Sequence, residues 1–238
     1  GEFWAEQRPL AQLEKGEWEL KCHKCNRDAQ NVLMTEDITK PITTYGISKY
    51  AIELLAEVLG KKYNIPTVCM RYTYVQGPRN SIYNAYSGIA RVFAQRILNG
   101  KHPTLFEDGL GLRDYVSVYD VATANVLALE DDRANGKVFF VSGGKGYTNL
   151  EFAKVMLTAF DSQLEPEIPG IFRVGDTRST VSSIKSISKL GWRPKISLKE
   201  SMIQYRNYLE SLGKIEDRSD EAFKKMIKLG IIRKAKKT

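Results

Sequence analysis

Tyr45 and Lys49 stand four residues apart in the segment Thr43-Thr44-Tyr45-Gly46-Ile47-Ser48-Lys49-Tyr50. On a helix this spacing puts a phenol and an ammonium on one face, about one turn apart. A neighbouring cation favours phenolate and draws the tyrosine pKa down from its usual value of about 10, which is how a tyrosine serves as a general acid and base near neutrality. A shift of about three units corresponds to ~4 kcal/mol of differential stabilisation. The spacing alone is weak evidence. The chain has 12 tyrosines, of which only Tyr45 has a lysine four positions on, and about one such pair arises by chance at ordinary lysine content. The weight therefore rests on the elements around the pair.

Those elements alternate. Ile47, Tyr50, Ala51, Leu54, Leu55, Val58 and Leu59 repeat at helical period and stop at Gly60. Ile65 to Tyr72 reads as a short buried strand, and Gly77-Pro78-Arg79 breaks it. A helix over Ser87 to Leu98 stops at Asn99-Gly100. Thr104-Leu105-Phe106 and Tyr115 to Val118 are short strands, and Asp120 caps a helix running to about Leu129. Lys137 to Val141 is a strand closing on Gly143-Gly144. Thr148 with Glu151 forms a capping box for a helix to about Phe160, and Ser197 with Glu200 repeats the signal before a helix to about Leu209. Alternating strands and helices imply an α/β fold with parallel pairing.

Composition narrows the class. The 238 residues are enough for one large or two small domains, with 42% hydrophobic and 27% charged residues. No apolar run approaches the length of a membrane span. Three cysteines argue against a disulfide scaffold and for a reducing, cytoplasmic setting. The net charge is +8, but residues 214–238 carry nine Lys/Arg against four Asp/Glu, so +5 belongs to that segment. It reads as a solvated, partly helical end rather than a nucleic-acid-binding element, which would need interleaved aromatic and basic stripes. The positive balance also suits an anionic substrate such as a nucleotide diphosphate.

In order along the chain come Tyr45-Gly46-Ile47-Ser48-Lys49, Met70-Arg71-Tyr72, Gly77-Pro78-Arg79, Gly111-Leu112-Arg113-Asp114-Tyr115-Val116 and Asp120-Val121-Ala122. This order resembles the extended short-chain dehydrogenase/reductase family, the NAD-dependent sugar-nucleotide epimerases and dehydratases, from about Thr43 to Leu209. The stretch Val75 to Gly88 is similar to a subgroup near the UDP-hexose and deoxysugar-nucleotide 4-epimerases, in which a Cys-bearing insert also precedes the tyrosine.

The resemblance implies a Rossmann-type parallel sheet, represented by its C-terminal strands and helices, and a smaller substrate-binding subdomain. Residues 1–42 would be an N-terminal remnant with the insert. Residues 43–142 would belong to the Rossmann-type domain, with substrate-facing segments at 79–110. Residues 143–213 would form the substrate subdomain and 214–238 the basic end. Tyr45 would take a proton from a sugar hydroxyl while hydride leaves the same carbon for NAD, and Lys49 would bind the nicotinamide ribose. Tyr72 would join the cofactor-binding set. Arg113 and Arg173 would meet the sugar-nucleotide diphosphate, where a guanidinium fork suits phosphate oxygens. Asp176 would accept from ribose or base, Thr104 and Phe106 would lie beside the pyrimidine, and Ser87-Gly88 would open a helix whose free amides favour an anion. A homodimer through the tyrosine-bearing helix is also implied. Tyr74, Ser117, Phe140 and Ser183 depart from the residues common in the family and leave the sugar open, as well as the choice among epimerisation, dehydration and reduction.

The sequence contains no Gly-x-Gly-x-x-Gly or Gly-x-x-Gly-x-x-Gly, the turn that admits a dinucleotide pyrophosphate. The catalytic serine that the family places shortly before the tyrosine would lie ahead of Gly1. The expectation is a chain that alone binds NAD poorly and turns over nothing, either an inactive piece or a sugar-nucleotide-binding module, with an open strand edge and a bare apolar face. Cys22-His23-Lys24-Cys25 supplies two ligands at zinc spacing where a structural site needs four, so a metal-free knuckle is the alternative.

Overall fold

The computed structural model describes residues 2–3, 6–37, 39–83 and 88–236. Its strands pair in parallel where the alternation requires it. β1 (Cys69–Tyr72) lies beside β4 (Val138–Val141), and β2 (Tyr74–Gln76) beside β3 (Leu112–Ser117). Two antiparallel additions follow: β5 (Gly146–Thr148) on β3, and β6 (Ile171–Arg173) with β7 (Ile232–Lys234).

Two cores hold these layers. In one, α3 (Ile89–Leu98), α5 (Asn149–Ala159) and α7 (Leu198–Ser211) pack on β3, with Phe93, Phe152, Met156, Met202 and Tyr205 essentially out of water. Tyr115 of β3 stacks on Phe152 with centroids 4.1 Å apart. Each such side chain contributes about 1.5–3 kcal/mol by burial. The second core lies between β1, β4, α4 (Val118–Glu130) and α6 (Lys185–Ser188), around Phe139, Val141, Ile187 and Trp192.

Local chemistry moves several expected boundaries. α2 (Thr44–Tyr63) runs past Gly60 and ends on Asn64 in the left-handed region at φ 55. Gly60 is instead a point of close approach, since a Cβ there would lie 2.2 Å from Oγ1 of Thr67. The strand expected from Ile65 begins only at Cys69 and is half-buried, and Ile65 is exposed. Thr104 to Phe106 form no strand; Thr104 makes a single bridge to Glu167. Ser117, not Asp120, caps α4. Asp120 sits buried in the first turn, its carboxylate accepting the Lys195 and Ile196 amides at 3.0 Å each. The capping box of Thr148 and Glu151 is present.

The basic C-terminal segment folds onto the body rather than extending as a solvated end. α8 (Ser219–Lys228) leads into β7, which pairs Ile232 with Arg173 and buries Ile232. The apolar stripe of α2 is bare, with Ile47, Leu55 and Val58 each more than half exposed. No described helix is long and apolar enough to cross a membrane.

One buried charge network ties the amino-terminal segment to this frame. Arg178 donates to Glu107 at 2.9 Å, to both oxygens of Asp108 at 2.7 and 2.9 Å, and to Glu19 at 3.0 Å. Arg8 donates to Glu107 at 2.7 Å and to the Asp176 carbonyl at 2.9 Å. Both arginine side chains are nearly inaccessible, so each charge depends on its partners. Burial alone would raise the Asp108 pKa, but the Arg178 hydrogen bonds and charge and the Leu110 amide together hold it below its ordinary value. Asp114, fully buried, is pushed up by burial against the opposing pull of the Ser182 and Gly143 amides.

Removing one partner of a buried pair strands the other charge. Arg178→Ala is therefore expected to cost about 3–5 kcal/mol of stability, read from urea denaturation at pH 7. A depressed carboxylate contributes its full stability above the unfolded pKa of about 3.9 and loses it as pH falls through the lower folded value. Asp114 acts in the opposite sense, its ionisation costing stability as pH rises from about 3.9 through its raised value. The Asp108 part of the acid-side loss in urea midpoint should be smaller in Arg178→Ala, in titrations from pH 5 to pH 2.

Candidate functional site

α2 begins where Thr43 accepts the Gly46 amide in its side-chain cap. Tyr45 and Lys49 then follow on one face, with Nζ of Lys49 5.5 Å from the Tyr45 ring centroid. The tyrosine side is open, with Tyr45 71% exposed. Tyr72, at the end of β1, is also exposed and donates to Oδ1 of Asn125 at 2.8 Å.

A cavity of about 310 Å³ gathers Gly88, Thr104, Phe106, Arg113, Arg173 and Asp176. Ser87 lies outside the described residues. A smaller hollow of about 250 Å³, between the C-terminal half of α2 and strands β1 and β4, contains none of the residues expected to act. Neither cavity is lined by Tyr45, Lys49 or Tyr72.

Each wall of the larger cavity has a local cause. Gly88 precedes α3 at φ 98, a conformation suited to glycine. The stretch from Thr104 is kept extended by the Leu105 amide donating to the Glu167 carbonyl at 2.8 Å and the Glu107 amide to the Ile171 carbonyl at 2.6 Å. Arg113 of β3 donates to the carbonyls of Leu112 and Arg178 at 2.9 Å each and of Thr177 at 2.7 Å. Its guanidinium also lies 5.6 Å from the Tyr74 ring centroid. Three of its five donors are thus committed to the 177–178 loop and its own strand, so Arg113 shapes the cavity wall besides charging it. Arg173 of β6 lies 3.9 Å from the Asp176 carboxylate. Burial pushes the Asp176 pKa up, opposed by the charges of Arg173 and Arg113.

The amino-terminal segment connects the cavity to the start of α2. Gln7 donates from its side-chain amide to the Ile42 carbonyl at 3.2 Å, three residues before Tyr45. The next residue, Arg8, holds the Asp176 carbonyl. The helix that carries the tyrosine and the wall that carries Asp176 are thereby fastened to adjacent residues.

Sequence reasoning missed Arg8, Glu107 and Arg178, which hold the cavity floor, and Phe223 and Met226 of α8, which line its side. Nothing local marks the ion network, because its members lie far apart in the chain. The i, i+3 spacing of Phe223 and Met226 in a lysine-rich helix was a readable sign of a half-buried face turned toward the body.

Cys22 and Cys25 lie in a tight turn closed by the Cys22 amide donating to the Arg27 carbonyl and the Asn26 amide to the Cys22 carbonyl, 2.8 Å each. Hydrogen bonds from the Cys25 and Lys24 amides, joined by the Cys25 thiol, lower the Cys22 pKa. The His23 ring packs edge-on against Phe3 at 5.1 Å. Among the described residues no group of three or more His, Cys, Asp or Glu is placed to hold a metal ion.

Comparison with known proteins bears on this arrangement. Residues 24–142 match the model of the NAD dependent epimerase/dehydratase family. The dTDP-L-rhamnose 4-epimerase of Burkholderia thailandensis is 30% identical over 207 residues, covering 85% of this chain and 55% of that protein. Among solved structures, the UDP-glucose 4-epimerase of Thermotoga maritima with UDP-glucose superposes at a TM-score of 0.71 and 32% identity, over 78% of this chain and 60% of that one. The Thermus thermophilus UDP-glucose 4-epimerase in complex with NAD gives 0.68 and 30%, over 79% and 60%. The chain thus spans little more than half the length of these relatives, and its parallel strands form part of a Rossmann-type α/β sheet. With half of its residues matched by the family model and its fold shared with solved members, the chain belongs to the NAD dependent epimerase/dehydratase family.

Proposed function

We propose that this chain carries the sugar-nucleotide pocket and the acid/base pair of an NAD-dependent 4-epimerase acting on a UDP- or dTDP-sugar. The observation that carries the reading is the convergence of Arg113, Arg173 and the Thr104–Phe106 stretch on one cavity, whose wall is fastened beside the start of the tyrosine helix. Two guanidinium groups suit a diphosphate, and an extended backbone beside an aromatic ring suits a flat base.

In this reading the sugar projects from the diphosphate toward the start of α2. Tyr45 takes the proton from the sugar hydroxyl and returns it later, and Lys49 keeps a positive charge beside the ring, one helical turn away. NAD, when bound, would supply reversible hydride chemistry at the sugar carbon beside Tyr45. The residues present fit one end of such a cofactor. Tyr45 and Lys49 are exposed on one helix face and would hold the nicotinamide ribose, while the Gly-rich turn that receives the pyrophosphate is not in the sequence. C4 as the reacting carbon follows the epimerases among the relatives.

A second reading has specific support. The exposure of Tyr45 favours a sugar-nucleotide-binding module without turnover of its own. The two readings share the cavity and differ in Tyr45.

Calorimetry with UDP, with dTDP beside it and ADP as control, tests the cavity. UDP or dTDP should bind in preference to ADP, and Arg173→Ala should weaken binding by about 10- to 100-fold, the size of a charge-assisted contact. Equal affinity for all three nucleotides would remove the sugar-nucleotide assignment. Tyr45→Phe should leave UDP affinity within about twofold in either reading. In a chimaera that supplies the Gly-rich half from the Thermotoga maritima relative, the same change should lower turnover by about 10²–10⁴-fold if Tyr45 is the proton carrier. Undiminished turnover there would leave only the binding reading.

A further inference from the structure

The C-terminal segment is built into the cavity from two sides. At its start, Asp217 and Asp220 each lie 2.7 Å from Nζ of Lys101, and Asp220 lies 2.8 Å from Arg96 of α3. The Arg218 amide donates to Oε1 of Gln95 at 2.9 Å, and its guanidinium lies 4.5 Å from the Tyr83 ring centroid. At its far end, β7 pairs with β6, opposing Ile232 to Arg173, and the Val174 amide donates to the Ile231 carbonyl at 2.9 Å. α8 therefore spans from the helix on one side of the cavity to the arginine strand on the other. Between these fastenings, Phe223 and Met226 line the cavity. The Phe223 ring meets Phe106 edge to face, with centroids 5.6 Å apart and planes at 62°.

Two kinds of surface thus share one cavity: guanidinium groups at Arg113 and Arg173, and an aromatic corner made by Phe106 and Phe223. A nucleoside diphosphate has the matching parts, an anionic diphosphate and a flat base with an apolar face. We propose that Phe223 of α8 is a specificity-determining residue that packs against the nucleobase, so that the C-terminal segment serves as the base-side wall of the pocket. This deepens the sugar-nucleotide reading above and rests on it. A ring at this position favours a planar heterocycle over a bare phosphate, because stacking acts on the base alone.

The test compares UDP with inorganic pyrophosphate, which lacks the base, on the full chain by calorimetry. Phe223→Ala should weaken UDP binding at least tenfold and leave pyrophosphate binding within about twofold. Phe223→Leu, which keeps apolar bulk without a ring, should weaken UDP binding also, and Phe223→Tyr should retain it; circular dichroism and thermal melting establish that each variant is folded. If Phe223→Ala does not fold, the Leu and Tyr pair decides in the same way. UDP affinity unchanged in a folded Ala or Leu variant would overturn the assignment while leaving the pocket reading in place, as would equal losses for UDP and pyrophosphate. Failure of the unaltered chain to bind UDP or dTDP would instead remove the pocket reading, and this assignment with it.

Discussion

The charges of Arg178 and Arg8 are the constraint around which the site is arranged. Two guanidinium groups with almost no access to water are held by Glu107, Asp108 and Glu19. Taking such groups out of water is unfavourable, and the geometry persists only because several acceptors are met at once. With the Asp176 carbonyl, which accepts from Arg8, those acceptors come from three distant stretches: the amino-terminal segment, the turn after Phe106, and the loop after Arg173. Their meeting fixes the 104–108 turn, the 173–178 loop and residues 7–8 relative to one another. The cavity exists because these three are locked together, and the start of α2 is fastened to the same place through Gln7.

This rigidity contrasts with the other half of the molecule. α2 carries the tyrosine and lysine, yet its apolar stripe meets little of the described chain, with Ile47, Leu55 and Val58 facing solvent. An amphipathic helix gains most of its stability from the surface it covers. α2 instead relies on its Thr43 cap, the Glu57–Lys61 pair and the Arg71–Glu53 ion pair to β1, whose partners are largely shielded. The pocket is therefore the well-supported part of this chain, and Tyr45 and Lys49 stand on a more lightly held element.

Much of the frame was legible residue by residue. The i, i+4 period of α2, the Thr148–Glu151 capping box and the alternation of strand and helix are local signals, and the backbone follows them. Reading failed where a local sign had two uses. Gly60 looked like a helix stop but admits the close approach of Thr67, and Asn64 takes the left-handed turn instead. Asp120 looked like a cap, but its carboxylate satisfies two amides from residues 195 and 196, far along the chain. The lysine-rich end looked solvated because its charges outnumber its apolar residues, although Phe223 and Met226 share one face of α8 and Ile232 is buried in β7.

By itself the sequence determined the order of elements and the identity of the chemical groups, because cap, period and turn are set by neighbours within a few positions. The pairing of Tyr45 with Lys49 belongs to that level, since one helical turn brings them together. Only the tertiary structure decided that Arg113, Arg173, Asp176 and Phe106 share a cavity, that Arg178 holds its floor, and that α8 forms its side. These depend on contacts between residues separated by tens to more than a hundred positions, where no local propensity reaches and where burial and charge pairing in the assembled core make the choice.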